Sequence, residues 1–147
     1  MATTTIHTPT ELTTLAEEVI SILPQKNNAH VIALAGTLGA GKTTFVQALA
    51  ERLGVVEYVT SPTFVIMKRY EVEHEWIRQL VHIDAYRVDD VAEMEVLHVD
   101  ELLKAPGAVV CIEWPERIAE LLPKDRLDMS FMVGEGDART VEYNYSR

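Results

Sequence analysis

Val31-Ile32-Ala33-Leu34-Ala35-Gly36-Thr37-Leu38-Gly39-Ala40-Gly41-Lys42-Thr43-Thr44 is the stretch on which the reading of this chain turns. From Gly36 to Thr43 it matches GxxxxGK[ST], the loop that cradles phosphates in nucleoside-triphosphate enzymes. The flanks suit the motif. Val31 to Ala35 is a short apolar run of the kind that forms a strand buried on both faces. Phe45, Leu49 and Leu53 follow at helical spacing, and Gly54 is placed to cap that helix. The loop therefore falls between a strand and the start of a helix. Glycines at 36, 39 and 41 let backbone N–H groups turn toward phosphate oxygens, where the helix N-terminus adds positive potential. Lys42 suits the β- and γ-phosphates, and the Thr43 hydroxyl suits Mg²⁺.

The chain has 147 residues, which predicts one domain over 1–147 with room for a substantial core. At 48% hydrophobic and 24% charged, its composition is that of a globular protein. Met1 to His7 has neither a basic nor an apolar segment of the export type, and no apolar run is long enough to span a bilayer. The single cysteine, Cys111, lies in an apolar run and reads as a buried thiol. A cytoplasmic protein without membrane contact is expected. The net charge of −10 argues against autonomous nucleic-acid binding, which needs Lys and Arg on phosphates. Between Glu71 and Glu101 ten carboxylates face only Arg78 and Arg87. That segment is either a solvated face or a docking surface for a basic partner.

Thr8-Pro9-Thr10-Glu11 starts a helix, with Thr8 as N-cap, Pro9 at the first position and Glu11 completing a capping box. Leu12, Leu15, Ala16, Val19 and Leu23 give it one apolar face, Pro24 ends it, and its expected role is core cover. After the phosphate-loop helix, Ser61-Pro62-Thr63-Phe64 places two hydroxyls on a loop that Pro62 stiffens. Such a loop is either generic or a sensor of the γ-phosphate. Phe64–Val72 and Ile77–Ile83 read as a hairpin, Asp89–Lys104 as one acidic helix, and Ala108–Ile112 as a second buried strand. Pro115 opens a short helix to Leu122; Arg126–Val133 and Ala138–Tyr145 form a closing hairpin. The fold expected is α/β, a P-loop NTPase-like sheet with a parallel centre, antiparallel additions and helices on both faces.

A phosphate-loop enzyme places a carboxylate near Mg²⁺ at the end of a buried strand. Asp84, after Leu80-Val81-His82-Ile83, and Glu113, after Val109-Val110-Cys111-Ile112, both occupy such positions. In an open α/β sheet these strand ends share an edge with the phosphate loop. Arg87, Arg117 and Arg139 are candidates for a further cation in phosphoryl transfer. The five histidines show no metal-ligand spacing.

Four signatures together resemble the bacterial TsaE family, also called YjeE: Gly36 to Thr44, Ser61-Pro62-Thr63-Phe64, His82-Ile83-Asp84-Ala85-Tyr86-Arg87 and Glu113-Trp114-Pro115-Glu116. Their order and spacing in so short a chain are specific to that family, although motif-grade identity stops after Arg117. The resemblance implies a small ATPase needed for N6-threonylcarbamoyladenosine at position 37 of tRNAs. It implies work with the TsaB–TsaD pair, in which TsaD performs the transfer, so that tRNA is met only through partners. Carried over, Leu38, Gly39, Ala40, Gly41, Lys42, Thr43 and Thr44 hold the nucleotide, Thr43 and Glu113 attend Mg²⁺, and Lys42, Asp84 and Glu113 act in catalysis. Thr63 becomes a switch-like hydroxyl and Trp114 packs beside the site. Adenine contacts are implied near Glu11 and in the C-terminal hairpin.

ATP hydrolysis within a tRNA-modifying complex is the function expected, slow in isolation, with a weak homodimer allowed. A small-molecule kinase shares the loop, but the acidic stretch from Asp84 to Val109 is unlike an arginine-bearing lid. A non-catalytic module that binds partners according to its nucleotide is the other alternative.

Overall fold

The structure, a computed structural model, describes residues 2–60 and 66–146. Seven strands form one sheet: β1 (Ala2–Ile6), β2 (His30–Gly36), β3 (Met67–Glu71), β4 (Gln79–Asp84), β5 (Ala108–Glu113), β6 (Arg126–Val133) and β7 (Arg139–Ser146), in the order β1-β7-β6-β2-β5-β4-β3. The central strands β6, β2, β5 and β4 run parallel. Antiparallel pairs flank them, β3 on β4 at one side and β7 and β1 beyond β6 at the other. The parallel centre with antiparallel additions is the arrangement expected from the sequence.

Period-2 alternation on the central strands builds two cores from apolar runs. Ile32, Leu34, Leu80, Val109 and Cys111 face α1 (Pro9–Ile22) and α2 (Lys42–Arg52), which contribute Leu15, Val19, Phe45 and Leu49. Val31, Val81, Ile83, Val110 and Ile112 pack instead with Met94, Val99, Leu102 and Ile118. Those come from α3 (Ala92–Glu95), α4 (Val99–Leu103) and a 3-10 helix, Pro115–Leu121. Helices thus cover both faces. Cys111 is fully buried, and burial pushes its thiol pKa up.

At the start of α1 the Thr8 hydroxyl accepts the Glu11 N–H at 3.2 Å and faces the Glu11 carboxylate at 3.3 Å. α2 ends with Gly54 at φ +78°, the left-handed conformation of a glycine cap. One expectation fails on tertiary packing, and one strand had no counterpart in the sequence pattern. The helix expected over Asp89–Lys104 is broken, with His98 left-handed at φ 55° between α3 and α4. An unbroken helix with Met94 inward would turn His98 and Glu101 toward the sheet. The break instead buries Val99 and Leu102 with Met94. The strand β1 was not anticipated. Its threonines are β-branched, and it adds to the free edge of β7 from Ala2 opposite Tyr143 to Ile6 opposite Arg139.

The expected strand from Phe64 is described from Met67 onward. Ser61, Pro62, Thr63 and Phe64, including the switch-like hydroxyl assigned to Thr63, lie outside the described residues. Among the described residues no helix is long and apolar enough to cross a membrane.

Candidate active site

Three parallel strands deliver the candidate residues to one edge. β2 ends in Gly36 and feeds the loop that opens α2 at Lys42, with Gly41 as N-cap at φ 105°. β5 lies directly beside β2, and β4 beside β5. Parallel register sets His82 opposite Cys111 and Asp84 opposite Glu113. Because side chains alternate, 82, 84, 111 and 113 share the sheet face that α2 covers. Sequence period and strand order together bring both carboxylates to the phosphate loop.

Glu113 is only 4% exposed. Its Oε2 accepts the Thr43 hydroxyl at 2.8 Å and lies 2.5 Å from His82 Nε2. Lys42 is equally buried. Its Nζ donates to the Gly36 carbonyl at 2.6 Å and lies 3.7 Å from the centroid of the Trp114 ring. Burial lowers the Lys42 pKa, opposed by the charges of Glu113, Glu116 and Asp84. Both direct partners of the ammonium are neutral, a carbonyl and a π face, so an arriving phosphate offers it a stronger acceptor. Trp114 holds its ring there from a left-handed backbone, φ 59° and ψ 52°, which costs about 1–3 kcal/mol in a non-glycine residue. Tyr86 packs against that ring at a 5.0 Å centroid separation.

A cavity of about 290 Å³ opens over these groups, lined in part by Lys42, Thr43, Asp84, Arg87, Glu113 and Trp114. Asp84 is half-buried, and its Oδ1 accepts the Tyr86 N–H at 3.0 Å. On the other side of the loop, a cavity of about 380 Å³ runs past Gly39, Ala40, Gly41 and Thr44 to Thr8, Pro9 and Leu12 of the first helix and to Phe131, Asp137, Arg139 and Val141. The loop backbone thus lies between a chamber that holds Lys42, Asp84 and Glu113 and one walled by Pro9, Leu12, Phe131 and Val141, with Asp137 and Arg139 at its lining. That division suits a triphosphate on one side and a nucleoside on the other.

The oxygen donors fit Mg²⁺. Thr43 Oγ1 and the Glu113 carboxylate would offer hard oxygen donors from adjacent elements, and Mg²⁺ characteristically takes one or two protein oxygens plus substrate phosphates. Among the described residues no three His, Cys, Asp or Glu side chains gather as a metal cage, and such a site does not require one.

Lys42, Thr43, Asp84 and Glu113 are therefore brought together, with Leu38, Gly39, Gly41 and Thr44 at the same chamber. Ala40 and Gly39 line the second cavity. Glu11 lines neither cavity, its carboxylate accepting the Thr8 hydroxyl at 3.3 Å; its neighbours Thr8, Pro9 and Leu12 form the wall, so the start of α1 does more than cover core. Of the arginines weighed, Arg87 lines the carboxylate chamber, while Arg139 lines the other and donates to the Gly39 carbonyl at 3.4 Å. Arg117 lines neither. The sequence alone assigns His82 no role. The signal was its parity with Asp84, two residues on, but a partner for it depended on strand order.

Comparison with known proteins points one way. Residues 6–141 match the family model described as threonylcarbamoyl adenosine biosynthesis protein TsaE. The chain is 41% identical over 113 residues to the tRNA threonylcarbamoyladenosine biosynthesis protein TsaE of Bacillus subtilis, covering 77% of this chain and 68% of that one. It is 37% identical over 115 residues to the protein of the same name from Borreliella burgdorferi, covering 78% and 80% respectively. The crystal structure of Bacillus subtilis YdiB superposes with a TM-score of 0.77 at 29% identity, over 99% of this chain and 86% of that one.

Proposed function

The chain belongs to the TsaE family, and on that premise we propose that it is the ATP-binding and ATP-hydrolysing subunit of N6-threonylcarbamoyladenosine synthesis on tRNA. The observation that carries the ATPase reading is the contact of Thr43 with Glu113 beneath the phosphate loop, in the same chamber as Lys42. We place the activity in one domain over 1–147, in the cytoplasm, with Mg²⁺ as cofactor and the TsaB–TsaD pair as partners. tRNA is met through those partners, and a weak homodimer is compatible with the function.

In this reading Leu38 to Thr44 wrap the phosphates, with Thr63 as a hydroxyl sensor and the Glu11 end of the first helix near the base. Thr43 and Glu113 would hold the metal, which would neutralise charge on the phosphate oxygens. Lys42 moves from the Trp114 ring onto the β- and γ-phosphates. Asp84, steadied by the Tyr86 N–H, orients the attacking water.

Asp84→Ala should lower the hydrolysis rate by about a hundredfold while nucleotide affinity changes by less than about threefold. Steady-state ATPase assays beside binding titrations check this; normal hydrolysis would remove Asp84 from the mechanism. A second expectation concerns Trp114. Departure of Lys42 from its ring should change its fluorescence on nucleotide addition. The other tryptophan, Trp76, packs with His30 and His74 and can be replaced by Phe to isolate the signal. An unchanged spectrum at saturating nucleotide contradicts the movement of Lys42.

The test of function is ATPase activity of this chain alone, then with TsaB–TsaD, then with tRNA added. Slow turnover without any acceptor, raised by the pair, supports the proposal; turnover only with a small-molecule acceptor means a kinase. For docking, the acidic stretch is better tested at Glu95 than at Glu93. Glu93 Oε2 accepts the N–H groups of Asp89 and Asp90 and so holds its own loop. Glu95 is exposed beside Val96. Glu95→Lys should weaken association with TsaB–TsaD in a pull-down at low salt.

A further inference from the structure

Buried polar side chains are few among the described residues, and three of the four that occur, Lys42, His82 and Glu113, meet at this site. His82 is fully buried in the sheet, beneath the carboxylate rather than in the chamber. Its Nε2 lies 2.5 Å from Glu113 Oε2, and its Nδ1 has no protein partner. That pattern fixes the proton on Nε2, since a buried N–H without an acceptor costs more than a bare lone pair beside apolar neighbours. One carboxylate oxygen thus receives two donors, the imidazole from below and the Thr43 hydroxyl from above.

We propose that His82 is a positioning residue for the metal-binding hydroxyl, an inference that rests on the Mg²⁺-nucleotide reading above. A threonine hydroxyl has one proton and two lone pairs. When Glu113 Oε2 takes the proton, the lone pairs are left for a cation. That direction holds only if the carboxylate cannot rotate, and His82 is the group that pins the oxygen. The neighbouring strand supplies the clamp. His82 stands on β4, one strand beyond Glu113 on β5, and alternation puts both on the α2 face. Its role toward the metal is that of an outer partner, which touches the ligand and sets its direction.

A purely structural role predicts loss of stability alone. Positioning predicts a selective loss of the Mg²⁺ response. Fluorescent N-methylanthraniloyl-ADP is titrated into the wild type and into His82→Gln, His82→Asn and His82→Phe, each in EDTA and across a Mg²⁺ series. The Gln amide nitrogen reaches about as far as Nε2, the Asn amide falls short, and Phe keeps the ring without a donor. For Asn and Phe, the Mg²⁺ concentration giving half of the affinity gain should rise about tenfold or more, with binding in EDTA within about threefold of wild type. Gln should recover most of the wild-type response. Should Phe fail to fold, the Gln–Asn contrast decides, because the two share chemistry and differ in reach. An unaltered Mg²⁺ response in Asn or Phe, or equal loss in Gln and Asn, overturns the proposal. A wild type that binds no nucleotide, or ignores Mg²⁺, overturns the reading beneath it, and that outcome is distinguishable from the first two.

Discussion

Lys42→Ala should reduce kcat/KM for ATP by about a thousandfold, roughly 4 kcal/mol of transition-state stabilisation, and should abolish the rise in melting temperature on adding nucleotide. The size of the effect follows from where the charge sits. Lys42 is 4% exposed, and its ammonium is held by the Gly36 carbonyl and the Trp114 face. A cation already stripped of solvent loses little more when phosphate arrives, and it acts there at low local dielectric. Stability without nucleotide should change much less, by about 1 kcal/mol. Removing the ammonium forfeits the ring contact, but it also relieves the desolvation that lowers its pKa, at a helix position where alanine is favourable. Thermal shifts with and without ATP, beside an ATPase assay, separate the two effects. Retained hydrolysis would mean that Arg87 or Arg139 carries the phosphate charge instead.

The second large effect is on the fold. Gly36→Ala should destabilise the protein by about 3 kcal/mol or more, lowering the melting temperature by roughly 6–12 °C. Gly36 has φ +145°, and a Cβ there would lie 2.6 Å from the Phe131 carbonyl oxygen on the neighbouring strand. Neither atom can yield, since Gly36 and Phe131 are register partners in the parallel centre of the sheet. Gly39 is the control. Its φ is +78°, but no atom lies within 4 Å of a Cβ placed on it. Gly39→Ala should cost only the left-handed backbone penalty, about 1–2 kcal/mol, while disturbing the phosphate cradle. Equal melting temperatures for the two variants would show that the Phe131 approach does not limit Gly36.

The first glycine of the loop is thus a packing residue as much as a phosphate residue, a distinction invisible in the motif. Other parts were legible because they are local. The apolar runs at Val31 to Ala35 and Ala108 to Ile112 are short, unbroken and followed by Gly36 and Glu113, and they became β2 and β5. Thr8, Pro9 and Gly54 announced helix ends, since capping is a matter of a few neighbouring residues. The break at His98 was hidden because the acidic segment has acceptable helical spacing throughout. Only the sheet beneath it requires Met94, Val99 and Leu102 to face the same way.

The sequence by itself determined the α/β class, the phosphate loop with its strand and helix, and the presence of Asp84 and Glu113 at strand ends. Tertiary structure decided what those residues touch. Strand order is set by pairing between segments far apart in the chain, and no local pattern states that β5 lies between β2 and β4. That one arrangement puts Glu113 within reach of both Thr43 and His82, and its strained neighbour Trp114 against Lys42. Backbone hydrogen bonding would be satisfied in other orders as well. The packing of two apolar faces against their helices selects this one, and with it the site.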